Sequence, residues 1–159
     1  MKLAEALAER AELARRVEQL RSRVVGNARY QEGEEPAENA AELLEQADAD
    51  LARLEALIAR INRTNATVTL PGDETVPQTL TAALARRDVL RLRHSLVGAA
   101  ADAAAGAGQR GYRQMRSELP MLAALPVSTL RAQADELAQE LRLLDTRIQR
   151  ANWEAELSE

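Results

Sequence analysis

The chain has 159 residues, a formal net charge of −4 and no cysteine, which excludes a disulfide, a thiolate nucleophile and a cysteine-ligated zinc site. Aromatic residues make up 2% of the sequence, so the core must consist of Leu, Ala, Val and Ile, which suits helix packing better than a β-sandwich. No stretch approaches the roughly 20 apolar residues of a membrane span, and the charged N-terminal segment is unlike a signal peptide. We therefore expect a cytoplasmic all-α protein with one domain, residues 1–159.

Two long amphipathic helices are predicted in the first half of the chain, over residues 2–27 and 39–66. The stripe of the first has 4-3-4 spacing and comprises Leu13, Val17, Leu20 and Val24. Asn39 stands three residues before Glu42, a capping-box pattern that starts the second helix. The second helix has a heptad stripe made of Leu44, Ala47, Leu51, Leu54, Ile58, Ile61 and Asn65. Leu43 and Leu57 lie beside this stripe as spare apolar residues.

Two further long helices are predicted over residues 79–105 and 128–157. The third helix has apolar residues on two faces, which indicates that it is covered on more than one side. One face carries Leu80 and Leu84; the other carries Val89, Leu92, Leu96, Ala99 and Ala103, with Leu90 and Val97 between them. The fourth helix has the longest 4-3 stripe, formed by Leu130, Ala134, Leu137, Leu141, Leu144, Ile148, Ala151 and Ala155. Gly106 and Gly108 are suited to ending the third helix.

The connections predict one or two short β-hairpin insertions. Residues 67–78 combine a strand-like Thr-Val-Thr-Leu run with the turn signature Pro71-Gly72-Asp73. The long connection 106–127 is expected to contain an extended arm over Tyr112–Leu119. The matched helix lengths favour an antiparallel four-helix bundle, while a pair of helical hairpins with coiled-coil-like stripes would show the same periodicity.

Apolar residues outside the main stripes suggest a subunit interface, and hence a homo-oligomer. The candidate interface residues are Leu90, Val97, Leu143, Trp153 and Leu157.

Polar residues at the ends of the stripes form the candidate site, which is either a structural network that fixes helix register or a ligand pocket. Its members are Asn62, Arg63, Asn65, Arg87, Asp88 and Arg91. In this interpretation Asp88 lies along a buried edge and pairs with an arginine and with the asparagine amides. An enzyme using Asp88 as a general base is the weakest hypothesis, because no catalytic motif accompanies it.

A basic arm offers a nucleic-acid or anion-binding alternative. It consists of Arg110, Tyr112, Arg113 and Arg116, with further arginines on the third helix. The overall acidity disfavours nucleic acid, and an internal contact with the acidic segment around residues 32–50 is the competing interpretation. Membrane association is disfavoured because the polar helix faces mix Glu with Arg. No metal or other cofactor is expected, since the single histidine, His94, lacks the Glu-x-x-His pattern of di-iron bundles.

Three segments carry a resemblance to a known family. They are Ile61–Asn65, Ala83–Leu90 and Leu144–Gln149, the last followed by Asn152-Trp153. Together they resemble an uncharacterised family of small bacterial helical proteins sometimes labelled septicolysin. The resemblance implies a helical fold over nearly the whole chain, and the label implies a cytolysin. From the residues themselves, we expect a non-enzymatic, self-associating protein that acts through protein contacts.

Overall fold

A computed structural model describes residues 1–71, 78–106 and 121–159. It contains four long helices, α1 (Leu3–Asn27), α2 (Ala40–Thr67), α3 (Leu80–Ala104) and α4 (Val127–Glu154). The predicted all-α class is confirmed, and the predicted helix bounds agree within two residues except at the end of α4. That helix ends at Glu154 rather than at Leu157, because residues 155–157 leave the helix to bond with the N-terminal segment.

The expected β-hairpins are not seen in the described part of the chain. Just after the end of α2, the Leu70 amide donates a hydrogen bond to the Gln78 carbonyl over 2.9 Å. Residues 72–77, which connect the two, lie outside the described ranges. The arm predicted over Tyr112–Leu119 also lies outside them.

Local sequence accounts for three of the helix ends. The Asn39 side chain accepts hydrogen bonds from the amides of Ala41 and Glu42, and its amide group donates to the Glu42 carboxylate over 2.9 Å. Thr79 caps α3 in the same way, by accepting from the Ala82 amide. Gly106 follows α3 with a φ of +77°, a left-handed conformation that glycine adopts without steric cost.

The chain divides into two compact units, residues 1–69 with 150–159 and residues 70–149. In the first unit, α1 and α2 form an antiparallel hairpin, tied by ion pairs from Arg53 to Glu9 and from Arg23 to Glu38. The predicted α1 stripe is buried or half-buried throughout.

The predicted α2 stripe is only partly correct. Its Ala47, Leu54 and Ile61 are covered, but Leu44, Leu51 and Ile58 are exposed. The residues one position earlier are buried instead, namely Leu43, Asp50 and Leu57. Because α2 has apolar residues in three heptad rows, it can place only two of them against α1. One of the buried rows contains two polar residues, and each has a partner: Asp50 pairs with Arg16 of α1, and the Thr64 hydroxyl accepts from the Ser158 amide.

In the second unit, α3 and the first part of α4 form another antiparallel pair. Arg131, near the start of α4, pairs with Asp102 near the end of α3, while Arg91 pairs with Asp145. The buried α3 residues are Leu80, Ala83, Leu90, Val97 and Ala101. The α4 stripe is buried or half-buried at all eight predicted positions, which confirms it.

Candidate protein–protein interface

An exposed apolar row runs along α3 on the side opposite its buried residues. We call it the α3 outer stripe; it comprises Ala82, Ala85, Val89, Leu92, Leu96, Ala99 and Ala103. Its spacing alternates between three and four residues for three heptads, the pattern of a coiled-coil surface. The three largest side chains, Val89, Leu92 and Leu96, are 63%, 73% and 71% exposed. The sequence therefore located this second face of α3 correctly.

A narrower exposed row lies on α2, beside the residues that face α1. We call it the α2 outer stripe; it comprises Leu44, Leu51 and Ile58. An open groove of about 720 Å³ adjoins it, lined mainly by apolar side chains of α2 with Asp48, Glu55 and Asn62 among them. Both units thus expose apolar helix surface.

The residues predicted for an interface divide into two groups. Leu90, Val97 and Leu157 are buried within their own chain, so that prediction is wrong for these three. Leu90 and Val97 belong to the inner face of α3, and Leu157 follows the end of α4. Leu143 and Trp153 of α4 are both well exposed and remain available to a partner.

The sequence predicted that Arg87, Asp88 and Arg91 of α3 lie along a buried edge, and this prediction is wrong for two of the three. Asp88 and Arg91 are exposed, and Arg87 is less exposed than either. The Arg87 guanidinium donates hydrogen bonds to Asp88 Oδ1 over 3.0–3.1 Å, and Arg91 reaches Asp145 of α4 over 3.4 Å. Leu84, which suggested this edge, is itself only half-buried. An exposed carboxylate beside a guanidinium does not provide the desolvated setting typical of a general base.

The polar residues near the end of α2 have different roles. Asn62 and Arg63 are exposed and Asn65 is half-buried. Arg63 donates to the Glu159 carbonyl oxygen over 2.8 Å. Between them, Thr64 is fully buried, and its hydroxyl donates to the Arg60 carbonyl while accepting from the Ser158 amide, each over 2.9 Å. These bonds join α2 to the C-terminal segment, so they support the structural interpretation of this part of the cluster.

Three buried polar residues were not recognised as core positions from the sequence, namely Asp50, Thr64 and Asn152. Asp50 is 8% exposed, and its Oδ2 lies 2.8 Å from Nε of Arg16 on α1. The contact is an ion pair whose N–H is not aligned with that oxygen, since Oδ2 lacks a hydrogen-bond partner. A signal was present in the sequence, because Asp50 lies seven residues after Leu43 and seven before Leu57, in the row that faces α1.

The basic arm of Arg110, Tyr112, Arg113 and Arg116 lies outside the described residues. His94 is half-buried on α3. The described ranges hold no group of three or more side chains suited to a metal ion. Within the same ranges, no helix has the length and apolar character needed to cross a membrane.

Ion pairs change the acidity of two exposed glutamates in the first unit. The hydrogen bond from the Arg23 guanidinium, aided by its charge, lowers the pKa of Glu38. Lys2, together with the N-terminal ammonium group, lowers the pKa of Glu156 in the same way. Because the folded pKa lies below the unfolded one, each pair stabilises the fold at neutral pH. That contribution is lost as the pH falls through the folded pKa.

We expect Arg23→Gln to raise the pKa of Glu38 toward the ordinary glutamate value, because the charged donor is removed. Carboxyl carbon chemical shifts recorded across an acid titration measure this directly. Arg21→Gln is the matched control, since Arg21 pairs with Glu18 rather than with Glu38. An unchanged Glu38 pKa in Arg23→Gln would show that the pair is not formed in solution.

The geometry defines the class as an all-α protein of antiparallel helix pairs with exposed apolar helix faces. Residues 10–157 match the model of a family of unknown function, DUF6847, so the chain belongs to that family. It is also similar to a functionally unknown conserved protein from Corynebacterium diphtheriae, known from a crystal structure. The two are 39% identical, each is covered over 99% of its length, and the TM-score is 0.87. No curated protein matches the chain. The resemblance to an uncharacterised family is thus correct, whereas the septicolysin label finds no support in these comparisons.

Proposed function

We propose that the chain is a cytoplasmic, non-enzymatic protein that self-associates through exposed apolar helix surface and acts through protein–protein contacts. The observation that carries this proposal is the α3 outer stripe. Soluble monomers rarely expose a continuous apolar patch of this kind. Fully burying a Val or Leu side chain contributes about 1.5–3 kcal/mol, so covering these three side chains on each of two copies offsets part or all of the entropic cost of association.

The arrangement of α3 supports the proposal because both faces of the helix are apolar. Its inner face packs within the second unit, through residues such as Leu90 and Val97. The outer stripe then has the spacing and length of a second packing surface. A helix with two apolar faces is typical of an element covered on two sides.

Light scattering coupled to size exclusion tests the proposal. We expect a mass of at least twice 17.4 kDa at micromolar concentration, with a decrease on dilution. A mass of 17.4 kDa at every concentration up to the submillimolar range would contradict the proposal.

A further inference from the structure

We infer that the α3 outer stripe binds the α3 outer stripe of a second copy, with the two helices parallel and in register. This inference rests on the proposed self-association and names its partner, surface and orientation. The argument comes from the charges that border the stripe.

The two borders of the stripe carry opposite charges. In heptad terms Val89 and Leu96 occupy a positions and Leu92 a d position. Arg86 and Arg93 then fall at e positions along one border. On the other border, Asp88 and Asp102 fall at g positions. All four of these charged residues are exposed.

This charge pattern favours parallel pairing. In a parallel pair, each g residue meets the e residue five positions later on the other helix, so Asp88 of one copy meets Arg93 of the other. The twofold symmetry of a homodimer forms this pair twice. In an antiparallel pair the borders of the same kind face each other, which places Arg against Arg or Asp against Asp.

The second unit leaves this surface available and fixes some of the bordering charges. Arg86 is bonded to Glu140 and Asp102 to Arg131, both on α4. Among the described ion pairs, the exposed Asp88 contacts only its half-buried neighbour Arg87, so its carboxylate can turn to a second copy at little cost.

Disulfide trapping tests the surface, because the chain contains no cysteine of its own. We expect Leu92→Cys to form a covalent dimer rapidly under mild oxidation. The control is Leu51→Cys, which places a thiol in the α2 outer stripe and should stay largely monomeric on denaturing gels. If the protein dimerises but Leu51→Cys forms the covalent dimer and Leu92→Cys does not, this inference is overturned and the proposed function still holds. A protein that is monomeric in solution overturns both.

Two further single-cysteine variants test the orientation. Ala85 and Ala103 are about 27 Å apart along the helix axis. A parallel, in-register pair brings each residue to its own counterpart, so Ala85→Cys and Ala103→Cys should both be trapped as homodimers. The two variants are also mixed and then oxidised. If the only covalent product joins Ala85→Cys of one copy to Ala103→Cys of the other, the parallel arrangement is overturned.

Charge reversal tests the bordering ion pair. We expect Asp88→Arg to weaken the dimer about 10-fold, because two attractive pairs become repulsive. The double variant Asp88→Arg with Arg93→Asp should restore the wild-type dissociation constant, measured by sedimentation equilibrium. Both substitutions lie at exposed positions, so the fold is expected to persist. A double variant as weak as Asp88→Arg contradicts the pairing.

Discussion

Ile61→Ala should lower the free energy of unfolding by about 2–5 kcal/mol, the range for removing a fully buried aliphatic side chain. Ile61 is 1% exposed and lies in the row of α2 that faces the interior of the first unit. Truncation there loses the burial of three carbons and leaves a cavity that the close-packed interior closes only in part. Urea denaturation at one fixed protein concentration measures the loss.

Ile58→Ala is the matched control for this experiment. Ile58 is the same residue type on the same helix, one turn earlier, but it is 38% exposed. We expect a smaller loss there, about 1 kcal/mol, since more than a third of the Ile58 surface already contacts water whereas Ile61 is almost fully covered. Equal losses at the two positions would show that α2 does not bury the row containing Ile61.

The comparison of these two isoleucines shows what the sequence could specify about α2. Both belong to one unbroken heptad stripe, and periodicity treats them as equivalent. Leu43 and Leu57, which seemed spare, are buried in place of Leu44 and Leu51. Three apolar rows compete on this helix. The choice between them depends on contacts with α1 and the C-terminal segment, which a single-helix pattern does not contain.

The other helices were easier to predict for physical reasons. α4 has one continuous stripe with polar residues on both sides, so its buried face is unambiguous. The outer face of α3 was also recognised and is the basis of the proposed function, whereas Leu90 and Val97 of its inner face were predicted as interface residues. Leu157 was misplaced because a tertiary contact ends α4 early, where the Leu157 amide donates to the Met1 carbonyl over 2.9 Å.

The polar candidate site was predicted less well than the helices. Asp88 was expected to be buried because it lies one turn after Leu84, yet its carboxylate is exposed. Among the described residues, the acidic side chain that is buried is that of Asp50, at the end of the acidic segment that the sequence analysis considered only as a partner of the basic arm. Hydrophobic patterning identifies apolar core positions, but a buried charge is recognisable only once its partner on another helix is known.

Arg16→Leu should destabilise the first unit by about 1–3 kcal/mol, because it leaves the carboxylate of Asp50 buried without its counter-charge. Breaking a fully buried ion pair costs about 3–5 kcal/mol. We expect less here because the Arg16 side chain is 58% exposed and water screens part of the interaction. Arg15→Leu, an exposed arginine one residue earlier, is the matched control and should change stability by no more than about 0.5 kcal/mol.

Replacing the other partner of the ion pair, Asp50, separates the free-energy cost of an unpaired buried carboxylate from the stabilisation that the ion pair itself provides. Asp50→Leu should be neutral or stabilising, because it removes the buried charge and extends the apolar row of Leu43 and Leu57. In the double variant the loss caused by Arg16→Leu should disappear, since no buried carboxylate remains to be compensated. A loss in the double variant as large as that in Arg16→Leu would mean that Arg16 stabilises α1 through its aliphatic stem and not through Asp50. Disappearance of the loss in the double variant would identify the unpaired carboxylate of Asp50 as its cause, and Arg16 as the residue that lets a carboxylate occupy the row of α2 that faces α1.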